Sequence, residues 1–489
     1  MTATKLPEQL TDRLSENINI LKQLLPIGQS FDLVSRDLYL GETPAYFLCV
    51  NGFCKTEVLQ QIFSDLQNPW YTRDETILDL GAYVSAKLGY AQVTLTDSFA
   101  DILKNVLSGP SLLLVDGFDK AVLIDARSYP TRGIAEPDAE RMTRGARDGF
   151  VETLLFNANL IRRRIRSPRL TFQIHSIGTA SKSDVAIAYL DDCVNQELLR
   201  RLSETIDRLQ VTSLTMGAKS LEELLVKKRW FNPLPSIQLT ERPDVACSYL
   251  PEGHILILVD NSPLVLILPC TIFQFTQSPE DYYKSPVVGS YFRLVRLACI
   301  PVSLLLMPLF LLITAYYPQL ADKWQLLSNS DMGTGRIIFY VFAVEFLLDL
   351  FKYSASLSSS RFSGALSIVG GLLIGDMAVS LNWASQEVLF YAAVTLLSSL
   401  SLSSIEFAEA LRVYRLFLII TSALGGLYGF LIGLALVSVS VLTTPTFGGM
   451  SYFWPLYPYN GKALRRLLLR MPTAKAQPCQ AWDRGGVHE

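Results

Sequence analysis

The feature that most constrains this chain is a change of solvent preference at Pro286. Beyond it, residues 297–321 and 416–461 contain no charged side chain. A helix of roughly 20 apolar residues spans the hydrocarbon core of a bilayer, which is about 30 Å thick. The residues before Pro286 mix charged and apolar side chains, as a protein in water does. The sequence therefore predicts a large soluble head followed by a membrane domain.

The predicted fold class is an α/β cytosolic head of two subdomains followed by an all-α polytopic membrane domain. We expect the two subdomains at residues 1–135 and 136–285. A transmembrane domain of four to five helices is expected at 286–445, and a basic C-terminal tail at 446–489. The chain has 489 residues, a hydrophobic composition of 50% and a mean hydropathy of +0.28, which favour an integral membrane protein of several domains.

The composition also constrains the compartment and the partners. The N-terminal helix carries charges along its length and lacks the apolar core of a signal sequence. Seven cysteines are scattered without a CxxC pair, so neither a disulfide framework nor a metal site is predicted. The formal net charge of −2 gives no general attraction to polyanions. We therefore expect the head to stay in the cytosol and to bind no nucleic acid.

Two segments of the head share one pattern. SLLLVDGFDKAVLIDAR (111–127) and HILILVDNSPLVLILP (254–269) each read as strand, tight turn and strand, and they align at Asp116 and Asp260. Continuous apolar strands indicate burial on both faces of a sheet, and the polar residues between them favour turns. The similarity of the two segments is explained either by an internal duplication or by the general likeness of buried hairpins.

Between these hairpins the periodicity is mainly helical. Apolar spacing predicts a helix over 149–165, which Pro168 ends. A strand is predicted at 171–177, and a long helix at 184–209.

Four strong apolar segments follow Pro286, near 297–317, 362–382, 388–405 and 416–442. A further segment, 337–351, carries Glu345 and Asp349 one turn apart, which suits an interfacial helix or one facing a wet cavity. Under the positive-inside rule, the basic C-terminal residues favour an inside C-terminus and an even number of spans. Arg412 and Arg415 instead favour five spans and an outside C-terminus. We expect five membrane helices, one of them partly interfacial.

No catalytic constellation is present, so the sequence predicts neither an enzyme nor a cofactor. The three histidines, His175, His254 and His488, have no partner at ligand or triad spacing. His254 opens a predicted strand and is interpreted as structural. Phosphate-binding glycine motifs are also missing from the sequence.

Two features of the apolar segments suggest ion passage. Asp376 lies in the middle of GGLLIGDMAVS, where a charge costs at least about 2.5 kcal/mol on insertion. It is either part of an ion pathway or gate, or a hydrogen-bonding contact between helices. Thr395, Ser399 and Ser403 fall on one helical face, where hydroxyls either line a pore or bond to their own helix. A pore lined by one such helix requires several subunits.

Small residues in the same segments favour close helix packing, because they let helix backbones approach one another. The glycines at this spacing are Gly371, Gly375, Gly425, Gly429 and Gly433.

The strongest basic cluster of the head lies at 141–169. It reads either as a surface for anionic lipid headgroups or nucleic acid, or as ion pairing between subdomains and subunits. Interleaved acidic residues favour the second interpretation. The residues predicted for head-domain assembly are Asp116, Arg144, Arg147, Arg162 and Arg163.

Five sequence blocks give the chain a family resemblance. They are VDGFDKA (115–121), RGIAEPDAERMTRGARDGFVETLLFNANLIRRRI (132–165), TERPD (240–244), LPEGHILILVDNSP (250–263) and SPEDYYKSP (278–286). Their order and spacing resemble the A-subunit family of spore germinant receptors, the GerA family. Three further stretches, at 349–357, 368–388 and 452–468, favour an accessory branch over the nutrient-receptor subunits. In those subunits a neutral residue commonly stands where this chain has Asp376, which weakens any direct transfer of gating details.

The resemblance implies an integral protein of the inner spore membrane with its head facing the spore core. It implies a homo-oligomeric channel subunit that releases monovalent cations during germination, assisting or amplifying the nutrient receptors. A small membrane protein, germinant receptor subunits and membrane lipids are the implied partners. The alternative function is a non-conducting scaffold that clusters or stabilises receptors, which the large head and the glycine faces also suit.

Overall fold

The structure is a computed structural model that describes residues 7–67, 77, 79–88, 92–129, 145–226, 230–324, 333–357, 380, 385–449 and 451–471. The contacts between its residues divide the chain into two compact units. The head unit contains the described residues up to 226 together with 237–269. The helical unit contains 230–236 and the described residues from 270 onward.

The first half of the head unit alternates helices with a five-stranded sheet. Its helices are α1 (Leu14–Leu24), α2 (Thr56–Leu66), α3 (Leu80–Lys87) and α4 (Phe99–Val106). Its strands are β1 (Leu33–Leu40), β2 (Thr43–Val50), β3 (Val93–Thr96), β4 (Ser111–Val115) and β5 (Ala121–Ile124). Apolar residues of α1 and α4 pack on one face of the sheet, and those of α2 and α3 on the other.

The second half repeats the same succession of elements. Its helices are α5 (Leu154–Arg164), α6 (Gln196–Asp207), α7 (Ala218–Leu225) and α8 (Pro243–Tyr249). Its strands are β6 (Leu170–Ile177), β7 (Ser183–Leu190), β8 (Gln238–Thr240), β9 (Ile255–Val259) and β10 (Val265–Leu268). Short 3₁₀ turns lie at Leu250–Glu252 and, beyond the head unit, at Gln274–Thr276.

The two sheets have one topology. Their strand orders are β1-β2-β4-β5-β3 and β6-β7-β9-β10-β8, with every neighbouring pair antiparallel. The strands β4, β5, β9 and β10 are buried at every residue. Burial on both faces, which the apolar runs predicted, is therefore confirmed.

The repeats also share their hydrogen bonds. Asp116 accepts from the backbone N–H of Leu14 at 2.9 Å, and Asp260 accepts from that of Leu154 at 3.2 Å. In the same helices Asn17 and Asn157 each close a double hydrogen bond to the backbone six residues earlier. Buried hairpins in general have no reason to share such details, so an internal duplication is the better explanation of the echo.

One sequence prediction in the head is wrong. Residues 184–209 form strand β7, a turn and helix α6 instead of one long helix. The side chain of Asn195 caps α6 by accepting from the N–H of Leu198, which fixes where the helix begins. Strand β7 pairs with β6 and β9 inside the sheet, and tertiary pairing of this kind overrides helical spacing.

The helical unit is built from seven described helices. They are α9 (Glu280–Tyr283), α10 (Pro286–Tyr316), α11 (Pro318–Lys323), α12 (Thr334–Leu357), α13 (Gln386–Leu400), α14 (Ile405–Leu442) and α15 (Gly461–Leu468). By length and composition, α10 and α14 qualify as candidate membrane spans. Within this part of the chain the segment predicted at 337–351 is longer than expected, at 24 residues. The segment predicted at 362–382 lies outside the described residues, apart from position 380.

Helix α14 is a bent pair of helical arms. Gly426 has φ 54° and ψ −133°, which no right-handed helix contains. The hydroxyls of Tyr414 and Ser440 are 2.8 Å apart, whereas 26 residues of straight helix would separate them by about 39 Å. The chain therefore reverses at Gly426, and its two arms run antiparallel.

The start of the helical unit differs from the expected boundary at 286. The N–H of Ile272 bonds to the carbonyl of Tyr452, and the Ser403 hydroxyl donates to the carbonyl of Phe275 at 2.7 Å. The ring of Phe275 also stacks on that of Phe407. These contacts tie the residues from 270 onward to the helices, with which they form one compact unit.

The bend gives a matched pair of glycine substitutions. Gly426→Ala is expected to lower the free energy of unfolding by about 1–3 kcal/mol, because an L side chain is strained in this conformation. A Cβ there would also stand 3.2 Å from the ring of Tyr316. Thermal unfolding of the full chain in detergent measures the effect.

Gly425→Ala is the control. A Cβ at Gly425 meets nothing within 4 Å, so alanine in that helical position is expected to be neutral or stabilising by up to about 1 kcal/mol. Equal effects at the two neighbours would contradict a bend that depends on Gly426.

Candidate functional site: the polar interior of the helical unit

A charge pair lies inside the helical unit. Glu345 of α12 accepts from Arg415 of α14 at 3.0 Å, and Arg415 also donates to the backbone carbonyl of Ser303 on α10 at 3.0 Å. Glu345 is 1% exposed and Arg415 is 5% exposed. A single guanidinium therefore joins three helices, because a buried charge is stable only when it is paired and hydrogen-bonded.

This cluster has spare hydrogen-bonding capacity. Glu345 Oε1, Arg415 Nε and the hydroxyl of Ser303 are buried and have no protein partner among the described residues. Buried polar atoms without protein partners are the usual positions of internal water. The cluster is thus a hydrophilic point among the buried apolar side chains of these three helices.

Two more ion pairs continue from the cluster toward one end of the same helices. Asp349 pairs with Arg412, and Lys352 Nζ lies 3.7 Å from Glu409 Oε1. The three partners on α12 follow at one-turn spacing, and those on α14 follow in reverse order. This register is what two antiparallel helices require.

The predicted hydroxyl face is not continuous. Helix α13 ends at Leu400, so Ser403 lies in the turn beyond it. The Thr395 hydroxyl is buried and donates to the carbonyl of Tyr391 at 2.8 Å, four residues back in its own helix. Ser399 is also buried. The observed bond at Thr395 is the back-bonding alternative, and within this chain neither Thr395 nor Ser399 faces outward.

The glycines have different environments. A Cβ at Gly429 would stand 1.9 Å from the carbonyl oxygen of Thr421, and one at Gly433 would stand 2.4 Å from its hydroxyl. These two glycines let the second arm of α14 lie against the first. Gly425 has open space at its Cβ position. Gly371, Gly375 and Asp376 lie outside the described residues.

A second buried charge cluster lies where α9 meets α10. Asp281 accepts from Arg293 at 3.3 Å and from Arg296 at 3.0 Å. Arg293 also donates to the carbonyls of Arg466 and Leu467 at the end of α15. A cation at a helix C-terminus is favoured by the helix dipole, so this cluster anchors the C-terminal helix to the start of α10.

The predicted assembly residues of the head have separate roles in the structure. Asp116 caps α1. Arg162 is fully buried and forms a 2.7 Å ion pair with Asp32 of the first repeat, so it holds the two repeats together. Arg147 and Arg163 are exposed, and the guanidinium of Arg163 lies 4.8 Å from the ring centre of Tyr129. Arg144 lies outside the described residues.

His254 is in the core of the second repeat. It is 1% exposed, and its ring lies 4.9 Å from that of Tyr249. Burial lowers the pKa of its imidazole to about 4. The side chain is therefore neutral at physiological pH, which agrees with the structural interpretation.

Known proteins are similar to this chain along nearly its whole length. The family model described as "Bacillus/Clostridium GerA spore germination protein" matches residues 19–479. The chain belongs to this family. The resemblance stated from the sequence blocks is therefore confirmed.

Several relatives match over nearly the whole length of the chain. Stage V sporulation protein AF of Bacillus subtilis is 34% identical over 471 residues, which is 95% of this chain and 94% of that protein. Spore germination protein B1 of the same organism is 28% identical over 472 residues, 95% and 96% of the two chains. Both are similar to this member of the GerA family along head and helices alike.

The chain is also similar to a solved structure. The N-terminal domain of the A subunit of the Bacillus megaterium spore germinant receptor GerK3 is 26% identical and has a TM-score of 0.40. The match covers 53% of this chain and 95% of that domain.

The sequence shows both members of the central pair, but as separate signals. Glu345 belongs to an acidic helix face, and Arg415 is a topology signal. The joint signal was an acid in one apolar segment and a base in another. The two residues lie 70 positions apart, so no local sequence pattern links them.

The central pair predicts a stability cycle. Glu345→Gln is expected to lower the free energy of unfolding by about 3–5 kcal/mol, because it leaves the Arg415 charge buried without a counter-ion. Replacing both residues with leucine is expected to recover most of the loss, since no charge then remains buried. Thermal unfolding of the full chain in detergent compares the variants.

Asp349→Asn is the matched control. Its pair with Arg412 is partly exposed, and exposed pairs contribute about 0–1 kcal/mol. A loss at Asp349 equal to that at Glu345 would show that the position of the charge has no special importance.

His254 predicts a pH dependence of the head. An unfolded histidine has an ordinary pKa of 6.5, so the unfolded chain binds more protons than the folded one below that pH. The contribution of His254 to the free energy of unfolding is expected to fall by about 2 kcal/mol between pH 7 and pH 5. In denaturant unfolding at several pH values, the free energy of unfolding of His254→Gln should change less with pH than that of the unsubstituted chain. An identical change in the two proteins would contradict the prediction.

Proposed function

We propose that this GerA-family member is a membrane-embedded channel subunit that passes monovalent cations when spores germinate. The observation that carries the proposal is the inverted polarity of the helical unit. Large apolar side chains such as Phe339, Phe346, Leu424 and Tyr428 are 62–83% exposed, while Glu345 and other charged and hydroxyl groups are buried.

Such a surface is unfavourable in water. Soluble monomers rarely expose contiguous apolar patches of more than a few hundred Å². In a bilayer the same surface meets lipid, and ionisable groups then face the interior or a partner. Helix α10 and the first arm of α14 also have about the length that a hydrocarbon core of about 30 Å requires.

The cation pathway is proposed to run beside the polar interior. The central pair and its unpartnered atoms supply a hydrophilic point within the apolar helices. A single chain of this size has few helices to enclose a pore, so a homo-oligomer is part of the proposal. Asp376, Thr395, Ser399 and Ser403 are kept in the proposal as pore-lining or gating residues.

The relatives support the setting. Their names are those of sporulation and spore germination proteins. These names support the proposal that the chain lies in the inner membrane of the spore, with its head in the core. Germinant receptor subunits and a small membrane protein are its proposed partners, in an accessory or amplifying role.

One observation favours the alternative function, a non-conducting scaffold. The hydroxyls of Thr395 and Ser398 bond to their own helix, and the outer face of α13 carries Phe390, Leu397 and Leu400. An apolar outer face suits contact with lipid or another subunit better than contact with ions.

Ion flux separates the two functions. The purified full chain in potassium-loaded vesicles is expected to release K⁺ faster than empty vesicles do. Glu345→Gln is expected to change the release rate by at least about tenfold, equivalent to about 1.4 kcal/mol of barrier. Asp349→Asn, as the matched control, is expected to leave the rate within about twofold.

The scaffold function predicts a different outcome. Vesicles with the full chain, alone and together with a receptor subunit, would then release K⁺ no faster than empty ones. That result would overturn the channel proposal while leaving family and membrane embedding untouched.

A further inference from the structure

The C-terminal helix α15 separates basic from apolar side chains. Lys462 and Arg465 are exposed and lie three residues apart, which places them on one face of the helix. Ala463 is buried, and Leu464 and Leu467 are half-buried on the other side. Among the residues that the structure describes, Lys462 and Arg465 have no carboxylate partner. The helix therefore presents two uncompensated positive charges to its surroundings.

Exposed aromatic side chains lie directly before this basic face. Tyr457 and Tyr459 are 72% and 75% exposed, and Leu456 beside them is 44% exposed. A Cβ at Gly461 would stand 3.0 Å from the hydroxyl of Tyr459, so this side chain lies against the start of α15. Tyrosine is enriched where a membrane protein passes from hydrocarbon to water. We call the exposed residues 456–459, 462 and 465 the interface patch.

The sequence around the interface patch has only one sign of charge. No aspartate or glutamate occurs between Glu409 and Asp483. A segment with basic residues alone attracts anions. The basic residues within positions 450–476 are Lys462, Arg465, Arg466, Arg470 and Lys475.

Helix α15 is held at a fixed position along α10. Arg293 donates to the backbone carbonyl of Arg466 at 3.1 Å, and the backbone N–H of Arg470 donates to the hydroxyl of Ser290 at 3.0 Å. The charge-free run of α10 begins at Leu297, which is about 6 Å beyond Arg293 along the helix axis. The headgroup layer on each side of the hydrocarbon is about 5–8 Å thick. Under the membrane embedding proposed above, the end of α15 therefore lies in that layer.

The junction of α15 with α10 is short of negative charge. Asp281 is shared by the two arginines described above, and Glu280 is paired with Lys284 at 3.4 Å. The guanidinium of Arg470 donates to backbone carbonyls. Arg293 Nη2 and Arg470 Nε are buried and have no protein partner in the described part of the chain. An anion at the edge of this junction is therefore electrostatically favourable.

We propose that the interface patch binds the phosphate group of an anionic phospholipid. Lys462 and Arg465 bind the phosphate, and the rings of Tyr457 and Tyr459 lie among the headgroup and glycerol atoms. A free phosphate ion would leave both rings in water, so a lipid suits the charges and the rings together. The site rests on the membrane embedding of the proposed function and is independent of ion conduction.

Native mass spectrometry of the full chain in a neutral detergent tests this binding. Phosphatidylglycerol has a net negative charge, whereas phosphatidylcholine has none. Each basic residue near an anionic lipid surface changes the affinity by about fivefold, so phosphatidylglycerol is expected to bind at least about tenfold more tightly. An excess of inorganic phosphate is expected to leave the lipid bound, because the free ion makes no contact with the rings.

Substitutions locate the site. Lys462→Gln combined with Arg465→Gln is expected to remove the preference for phosphatidylglycerol. Lys462→Arg combined with Arg465→Lys keeps both charges and is expected to keep the preference. Thermal unfolding of these double variants is expected to match that of the unsubstituted chain, since both side chains are exposed.

Lys323→Gln combined with Arg336→Gln is the matched control. It removes two exposed charges from α11 and α12 of the same helical unit, and the lipid preference is expected to stay unchanged. An equal loss of preference in the control would overturn the site, because any two surface charges would then suffice.

Three further results would overturn the proposal. They are equal affinity for the two lipids, an unchanged preference in the glutamine variant of the patch, and displacement of the lipid by inorganic phosphate. Failure of the channel proposal gives a different result, since potassium release is then absent while the lipid preference persists. Retention of neither lipid would contradict the membrane embedding as well as the site.

Discussion

The buried pair of Glu345 and Arg415 is the contact on which the helical unit depends. An isolated charge in an apolar interior costs several kcal/mol, so either residue alone would exclude this packing. Together they align α12 with the first arm of α14, and the hydrogen bond to the Ser303 carbonyl adds α10. The two outer ion pairs follow from that alignment, because antiparallel helices keep a common register. The apolar outer surface then becomes possible, since the polar groups are satisfied within.

The packing of the helical unit also depends on the reversal of the chain at Gly426. The first arm of α14 brings Arg415 into the interior, and the second arm must return along it. Only a short bend and very small residues allow this, which is why Gly429 and Gly433 touch the backbone and hydroxyl of Thr421. The bend thus lets the two arms of α14 pack closely, and the charge pair aligns α12 with the first arm.

The predictable parts of the structure were those fixed by local sequence. The buried hairpins followed from uninterrupted apolar runs and from the turns at Asp116 and Asp260. Strand β7 was missed because its apolar spacing also fits a helix, and its pairing with β6 and β9 is a long-range fact. Gly426 carries no local signal that separates it from Gly425.

The candidate site was less predictable, for a physical reason. Its central contact joins residues 70 positions apart, and no periodicity reports a contact of that kind. The three hydroxyl residues do not share one helix, because α13 ends at Leu400, three residues before Ser403. The acidic face at Glu345 and Asp349 is visible in the sequence, since both residues stand out within one apolar segment.

Duplication explains why the two halves of the head share one framework and differ outside it. In each repeat a carboxylate at the hairpin turn caps the first helix, and buried strands form the core. Positions outside that framework are free to diverge at little cost in stability. Arg162 became a buried link between repeats, whereas its counterpart Lys22, which also lies eight residues after the capped residue of its helix, stayed at the surface. A fold that is secured by its caps and strands can therefore use one helix position for a buried link in one copy and for an exposed side chain in the other.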